Sequence, residues 1–276
     1  MSVTTASLLS RIHSVPTLPK VVQALIATFN APEVDVSRIA RLVNTDPIIT
    51  AKVLRLANSA YYRRSRSISN INDAVVYLGL DALRMLVVGA GFAGAVSVPA
   101  SVGRTLFWRY CLHTAVAAKF FASHCGEETE TAFTAGLLHA IGEPLLADAM
   151  KEPLRELDMH TKFYDHERAS CERAALGFSF ADLGADLADS WCFPVAVIAA
   201  IRSAPEPLDQ ADFSRLGACV YLGAHFAAAS ERDETVEQAA STLDPRVMER
   251  VGIDLRQAFE MPTVQQLAEG LEELVS

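Results

Sequence analysis

The chain has 276 residues, 51% hydrophobic and 21% charged, which is enough for one large domain or two small ones and excludes an intrinsically disordered chain. Its formal net charge of −9 argues against general nucleic-acid binding, which shows as a basic excess. The five cysteines, Cys111, Cys125, Cys171, Cys192 and Cys219, are odd in number and hold no CxxC spacing. A disulfide framework or Cys-type zinc site is therefore not expected, and reduced residues in a cytosolic protein are.

The leader, residues 1–15, has no basic start, apolar run and cleavage site, so it does not read as a secretory signal. Val21, Val22, Leu25, Ile26 and Phe29 share one helical face, as do Ile39, Ala40 and Val43 after Asp35, a capping residue type. Asp46-Pro47 is a helix start: Asp accepts bonds from the free N–H groups of the first turn, and Pro loses nothing there by lacking its own. That helix runs through Ile49, Val53, Leu54 and Ala57 towards Tyr61. Ile71, Ala74, Val75 and Leu78 form the next stripe, closed near Gly79. Between Arg84 and Arg104 there is no charge, an interval close to spanning length. Its glycines and Pro99 favour a tightly packed soluble helix ending in a turn, and no membrane span is expected. A long helix follows through Leu106, Cys111, Val116 and Phe120. Ala132 to Met150 is helical with an interruption around Gly142 to Pro144. Further helices are expected at about 163–176, 179–190, 194–203, 211–230 and 262–275. Residues 231–244 are polar and Glu-rich and read as a hinge to a C-terminal extension. No alternating strands and no repeat appear, so the fold class is all-α.

Three motifs invite a functional reading. Gly89-Ala90-Gly91-Phe92-Ala93-Gly94 matches GxGxxG, but no Asp or Glu lies between Asp81 and Glu127 to hold a ribose. We read glycines that let a neighbouring helix approach closely. Tyr61-Tyr62-Arg63-Arg64-Ser65-Arg66 is a dense basic patch suited to a phosphate or an acidic partner, or simply a solvated loop. With it go Asn58 and Ser59, whose competing role is to cap a helix end or satisfy backbone groups. His113 and His139 sit in apolar helical sequence. A His pair binds a metal when a carboxylate joins it, yet the residue after His139 is Ala140, which ligates nothing. No GxSxG, HExxH or P-loop pattern is present.

Two segments resemble the HDOD family, the HD-related output domains of bacterial signalling proteins. One comprises Leu18-Pro19, Asp46-Pro47, the run Leu54-Arg55-Leu56-Ala57-Asn58-Ser59-Ala60-Tyr61-Tyr62, then Ala74-Val75 and Leu78-Gly79. The other is Ala135-Gly136-Leu137-Leu138-His139-Ala140-Ile141-Gly142. The resemblance spans roughly residues 16–215. It implies an N-terminal helical part (16–100) and an HD-phosphohydrolase-like helical part (101–230), preceded by a leader helix (1–15) and followed by a C-terminal helical extension (231–276) that the resemblance leaves unassigned. It also implies a vestigial metal site: His113 at the early His, His139 and Ala140 at the His-Asp pair, Phe180 in place of a later His, and Ser203 or Ala204 where another ligand would stand. Glu143 occupies a position where active relatives often carry Lys, and the GYP element of cyclic-di-GMP phosphodiesterases is absent. Several ligand losses together remove the charge that holds a divalent cation and lowers the pKa of its water. The expectation is a non-catalytic signal-transduction protein without cofactor or metal. It would act on signalling or regulatory proteins, or on a small ligand in the HD-like cavity, through a surface at Asn58, Ser59, Tyr62, Arg63, Arg64 and Arg66. The alternative is a metal-dependent phosphohydrolase of a nucleotide or cyclic dinucleotide using His113, His139 and Asp182 or Asp186.

Overall fold

A computed structural model describes residues 4–11, 16–29, 31, 33–62 and 67–276, and within these the secondary structure is helical with no strand. After α1 (Thr5–Arg11), the N-terminal part comprises α2 (Lys20–Thr28), α3 (Val36–Val43), α4 (Pro47–Ala57), a 3₁₀ turn (Ala60–Tyr62), α5 (Ile71–Leu78) and α6 (Leu80–Ala95). The start signals act as expected. Asp35 accepts from the Arg38 N–H at 2.9 Å, and Asp46 accepts from Ile48 and Ile49 at 3.1 and 3.0 Å with Pro47 in the first turn. Gly79, at φ 85°, ends α5 and turns directly into α6, a conformation that glycine adopts without a Cβ penalty.

Helix α6 is buried from Ala82 to Ala93 and packs against α2, α4 and α5. Its glycines make close helix contacts. A Cβ on Gly91 would lie 2.2 Å from Cγ2 of Val22, and one on Gly89 would meet Leu274 and Leu137 at about 3 Å. The charges flanking the uncharged interval clamp it in place. Arg84 pairs with Asp81 at 2.7 Å and donates to the Thr28 carbonyl at 2.8 Å. Arg104 donates to the Ala93 carbonyl at 2.6 Å, closing the end of α6. Among the described residues no helix is long and apolar enough to cross a membrane.

The second part holds α7 (Arg104–Cys125), α8 (Thr129–Leu138), α9 (Gly142–Ala149), α10 (Lys151–Asp158), α11 (Arg168–Leu176), α12 (Phe180–Ser190), α13 (Val195–Ser203) and α14 (Arg215–Glu231). Helices α7, α8 and α14 form its centre. The expected break around Gly142 to Pro144 falls instead at His139 to Ile141, because Pro144 sits in the first turn of α9, where its missing N–H costs nothing. Helix α10 was not expected, and α11 starts five residues later than the pattern suggested.

The hinge expected at 231–244 contains a helix. Residues 236–275 fold as α15 (Val236–Ser241), α16 (Pro245–Val251), α17 (Leu255–Phe259), α18 (Val264–Ala268) and a 3₁₀ turn (Glu272–Leu274). The signals were present: Thr235 and Gln238 form a capping box, and Asp244-Pro245 repeats the Asp46-Pro47 start, Asp244 accepting from the Arg246 N–H at 2.8 Å. This segment packs on both parts. α18 lies on α7, the final turn meets α4 and α6, and Leu271 and Leu274 are fully buried.

If α6 touches α2 through Gly91, then Gly91→Ala combined with Val22→Ala should be less destabilised than the sum of the two single variants by about 1 kcal/mol. Denaturant unfolding of the four proteins measures this, and strictly additive losses would refute the contact.

Candidate functional site

A cavity of about 890 Å³ opens beside His139. α8 ends at Leu138, and His139 continues its turn with its ring inward, 2% exposed. Nδ1–H donates to the Gly136 carbonyl at 2.7 Å. The proton therefore sits on Nδ1, and Nε2 is a bare acceptor, buried without a partner among the described residues. Burial lowers the His139 pKa to about 4, against the opposing pull of the Gly136 carbonyl, so the imidazole is neutral at physiological pH.

The neighbours of this ring are aromatic. Tyr110 of α7 stacks at 5.2 Å between centroids, Phe163 and Tyr164 continue the wall at 5.6 and 6.1 Å from Tyr110, and Phe180 and Ala204 line the same space. Burial pushes the Tyr110 hydroxyl well above its usual range. Two arginines stand among the lining residues, each already engaged: Arg232 with Glu234 at 2.6 Å and Arg246 with Asp244 at 2.7 Å.

The expected pairing of His113 with His139 is not what the fold produces. His113 lies about 60° round α7 and 4.5 Å along it from Tyr110. It lines a separate cleft of about 860 Å³ with Trp108, Arg109 and Glu231, where burial lowers its pKa. Tyr110 is the α7 residue whose ring packs against His139. Ala140 is buried and Phe180 fills the wall. Of Ser203 and Ala204, it is Ala204 that reaches the cavity; Ser203 donates to the Ala199 carbonyl at 2.7 Å instead. Asp182 and Asp186 are outside the lining. Asp182 accepts from the Ser179 N–H at 2.9 Å and pairs with Arg173, and Asp186 pairs with Arg202 at 2.6 Å. Among the described residues no three His, Cys, Asp or Glu side chains are grouped to hold a metal ion. The positions that the resemblance assigns to ligands carry an imidazole at His139, a phenyl ring at Phe180 and methyl groups at Ala140 and Ala204, which does not fit a divalent cation, and the cavity's other histidines and acids (His160, His166, His225, Asp165, Glu167, Glu234 and Asp244) form no metal-holding group among the described residues.

Glu143 lies in a buried charge cluster that the sequence reading missed. Arg168, 2% exposed, meets Glu172 at 2.7 Å, Glu143 at 3.1 Å and Asp158 at 2.7 Å. The second oxygen of Glu172 accepts from the Phe180 N–H at 2.6 Å, tying the cluster to the cavity wall. Burial, then the nearby Glu172, push the Glu143 carboxyl well above the usual carboxylate range. The Glu-Arg spacing of Glu143 and Arg168 spans 25 residues, beyond any local pattern.

Asn58 takes its capping role. Its amide donates to the carbonyls of Leu54 and Ile68 at 2.7 and 2.8 Å, and its oxygen accepts from the Ile68 N–H at 2.7 Å, which uses both ends of the side chain. The Ser59 hydroxyl is buried, and a Cβ on Gly270 would touch Ser59 and the Ala60 and Tyr61 backbone at 2.9–3.3 Å, so the C-terminal segment covers this turn. Tyr62 packs edge-on to Tyr61 at 4.9 Å. Arg63, Arg64 and Arg66 lie outside the described residues.

Removing Arg168 strands two buried carboxyls. Arg168→Leu should cost about 3–5 kcal/mol, whereas Glu143→Gln, which keeps an acceptor for the guanidinium, should cost less than about 1 kcal/mol; chemical denaturation compares them, and equal losses would contradict the cluster. His139 adds a pH effect. Its folded pKa lies below the unfolded 6.5, so the unfolded chain takes up the proton first, and stability held above that pH is lost as pH falls towards about 4. Between about pH 7.5 and about pH 5 the wild type should lose about 2 kcal/mol more than His139→Leu in urea unfolding; parallel curves would remove His139 from the account.

Comparison with known proteins agrees with this architecture. The HDOD domain profile matches residues 15–207. Cyclic di-GMP phosphodiesterase CdgJ of Vibrio cholerae serotype O1 is 31% identical over 180 residues, 57% of this chain and 40% of its own. An uncharacterised protein of Treponema pallidum is 29% identical over 199 residues, 71% of this chain and 39% of its own. The chain thus spans about two fifths of the length of these curated relatives. Among solved structures, a Shewanella amazonensis SB2B protein provisionally described as a phosphohydrolase superposes with a TM-score of 0.77 at 28% identity, covering 98% of both chains. A Geobacter sulfurreducens HDOD domain protein of unknown function gives 0.75 at 24%, covering 98% of this chain and 94% of that one, a likeness of fold. With its all-helical architecture and the profile match over most of its length, the chain belongs to the HDOD family.

Proposed function

We propose that this protein is a non-catalytic, regulatory HDOD protein that works by binding. The surroundings of His139 carry the reading: Tyr110, Phe180 and Ala204 line the cavity beside it, Ala140 follows it buried, and none of the four offers a carboxylate or imidazole to a divalent cation. Without a cation no water is activated at neutral pH, and the His139 imidazole, neutral and already anchored by Gly136, has no carboxylate hydrogen-bonded to it among the described residues. The two rim arginines are paired with their own carboxylates, which weakens any grip on a phosphate. A small ligand in this cavity would meet aromatic faces, histidines and arginines already paired with acids. On this reading the output of the protein is contact with signalling or regulatory partners.

The rival is a metal-dependent phosphohydrolase. It draws support from the name of the Vibrio relative, but its proposed acids, Asp182 and Asp186, are held by arginines away from His139. Metal analysis of protein purified without chelator, with a cyclic di-GMP hydrolysis assay, separates the two. The expected result is substoichiometric iron, manganese and zinc, and no turnover. One equivalent of metal lost on His139→Ala, together with hydrolysis, would overturn the proposal.

A further inference from the structure

Five cysteines are scattered over the sequence, yet two meet in the fold. Cys125 is the last residue of α7, and Cys219 lies one turn into α14. The two helices run antiparallel: Arg109 pairs with Glu231 at one end, and the two cysteines stand at the other, with Sγ atoms 3.3 Å apart. Gly223, one turn beyond Cys219, makes this contact geometrically available. A Cβ there would lie 2.5 Å from the Thr114 carbonyl oxygen and 2.8 Å from the Ala118 nitrogen, so the backbones approach more closely than side chains on both helices would allow. The thiols are left little more than 1 Å from bonding distance, about 2 Å.

The surroundings differ for the two sulfurs. Cys219 is fully buried and Cys125 is half-buried. Arg215 stands one turn before Cys219 and donates to the Cys125 carbonyl at 2.9 Å, which sets a fixed positive charge beside the outer sulfur. The Cys219 thiol donating to Cys125, with the Glu127 N–H and Arg215 assisting, lowers the Cys125 pKa to about 6, while that hydrogen bond and burial push Cys219 up. Cys125 is thus the accessible nucleophile and Cys219 the protected second thiol.

We propose that Cys125 and Cys219 form a reversible dithiol site for hydroperoxides, closing to a disulfide that ties α7 to α14. The Cys125 thiolate attacks the terminal peroxide oxygen, breaking the O–O bond. Cys125 becomes a sulfenic acid and the leaving alkoxide or hydroxide takes up a proton. The Cys219 sulfur then attacks the sulfenic sulfur and expels hydroxide, which leaves as water with the Cys219 proton. The sum is two thiols and one hydroperoxide giving one disulfide, one alcohol or water, and one water. Both helices line the His139 cavity, α7 through Tyr110 and α14 through Tyr221 and Ala224, so the link joins two of its walls. This site is independent of the reading given above for the cavity.

The test is to expose the full chain to equimolar hydrogen peroxide, denature it, alkylate with iodoacetamide and map peptides by mass spectrometry. The expected result is that two of the five thiols no longer alkylate, that one peptide joins Cys125 to Cys219 within a single chain, and that dithiothreitol restores both. In Cys219→Ser, dimedone should trap a sulfenic acid on Cys125. Alkylation of both residues at peroxide levels that oxidise the exposed Cys192 would overturn the proposal, as would a crosslink between chains through Cys192. The wild-type map decides the matter even if Cys219→Ser fails to fold.

Discussion

Backbone contact between α7 and its two neighbours, at the stretch Thr114 to Ala118, sets the positions of nearly every residue considered above. A Cβ on Gly136 of α8 would sit 2.8 Å from the Ala115 Cα, and one on Gly223 of α14 would sit 2.5 Å from the Thr114 oxygen. Backbone cannot yield as a side-chain tip can, so these two glycines fix how far apart the three helices lie and how each is rotated. With α8 seated on Ala115, the turn after Leu138 delivers His139 against Tyr110. With α14 seated on Ala118, Cys219 reaches Cys125 and Glu231 reaches Arg109.

The second constraint is buried charge. Arg168, the first residue of α11, is held by Glu143 of α9 and Glu172 of α11, and Glu172 also receives the first N–H of α12. A guanidinium taken out of water is tolerable only when carboxylates and carbonyls meet its donors, and here three acids do so. The cluster is a polar core that ties α9 and α11 to the start of α12. The cavity it backs has aromatic rings around His139 and further histidines, acids and paired arginines along its lining.

The helical class, most helix starts, the close packing at Gly89 and Gly91, and the family resemblance were legible in the sequence. Each rests on residues within a turn or two of one another: Asp46 caps the N–H groups two and three residues on, and an apolar stripe repeats along one helix. The same kind of signal was present at Asp244-Pro245 and Thr235 to Gln238, where a polar composition concealed short helices that bury only two or three residues each. The loss of a carboxylate at Ala140 was equally plain, because it is a statement about one side chain.

What faces His139 was not legible. A histidine is the residue type a metal site requires, so His113 drew the reading, but three residues along α7 place Tyr110 in the cavity and His113 in another cleft. The choice between Ser203 and Ala204, the partnership of Glu143 with Arg168, and the meeting of Cys125 with Cys219 across 94 residues were decided in the same way. By itself the sequence determined where most helices begin and which faces are apolar, since those depend on bonds and spacings within a few residues. Only the tertiary structure decided which side chains meet, because the rotation of one helix against another is set by backbone contacts between segments remote along the chain.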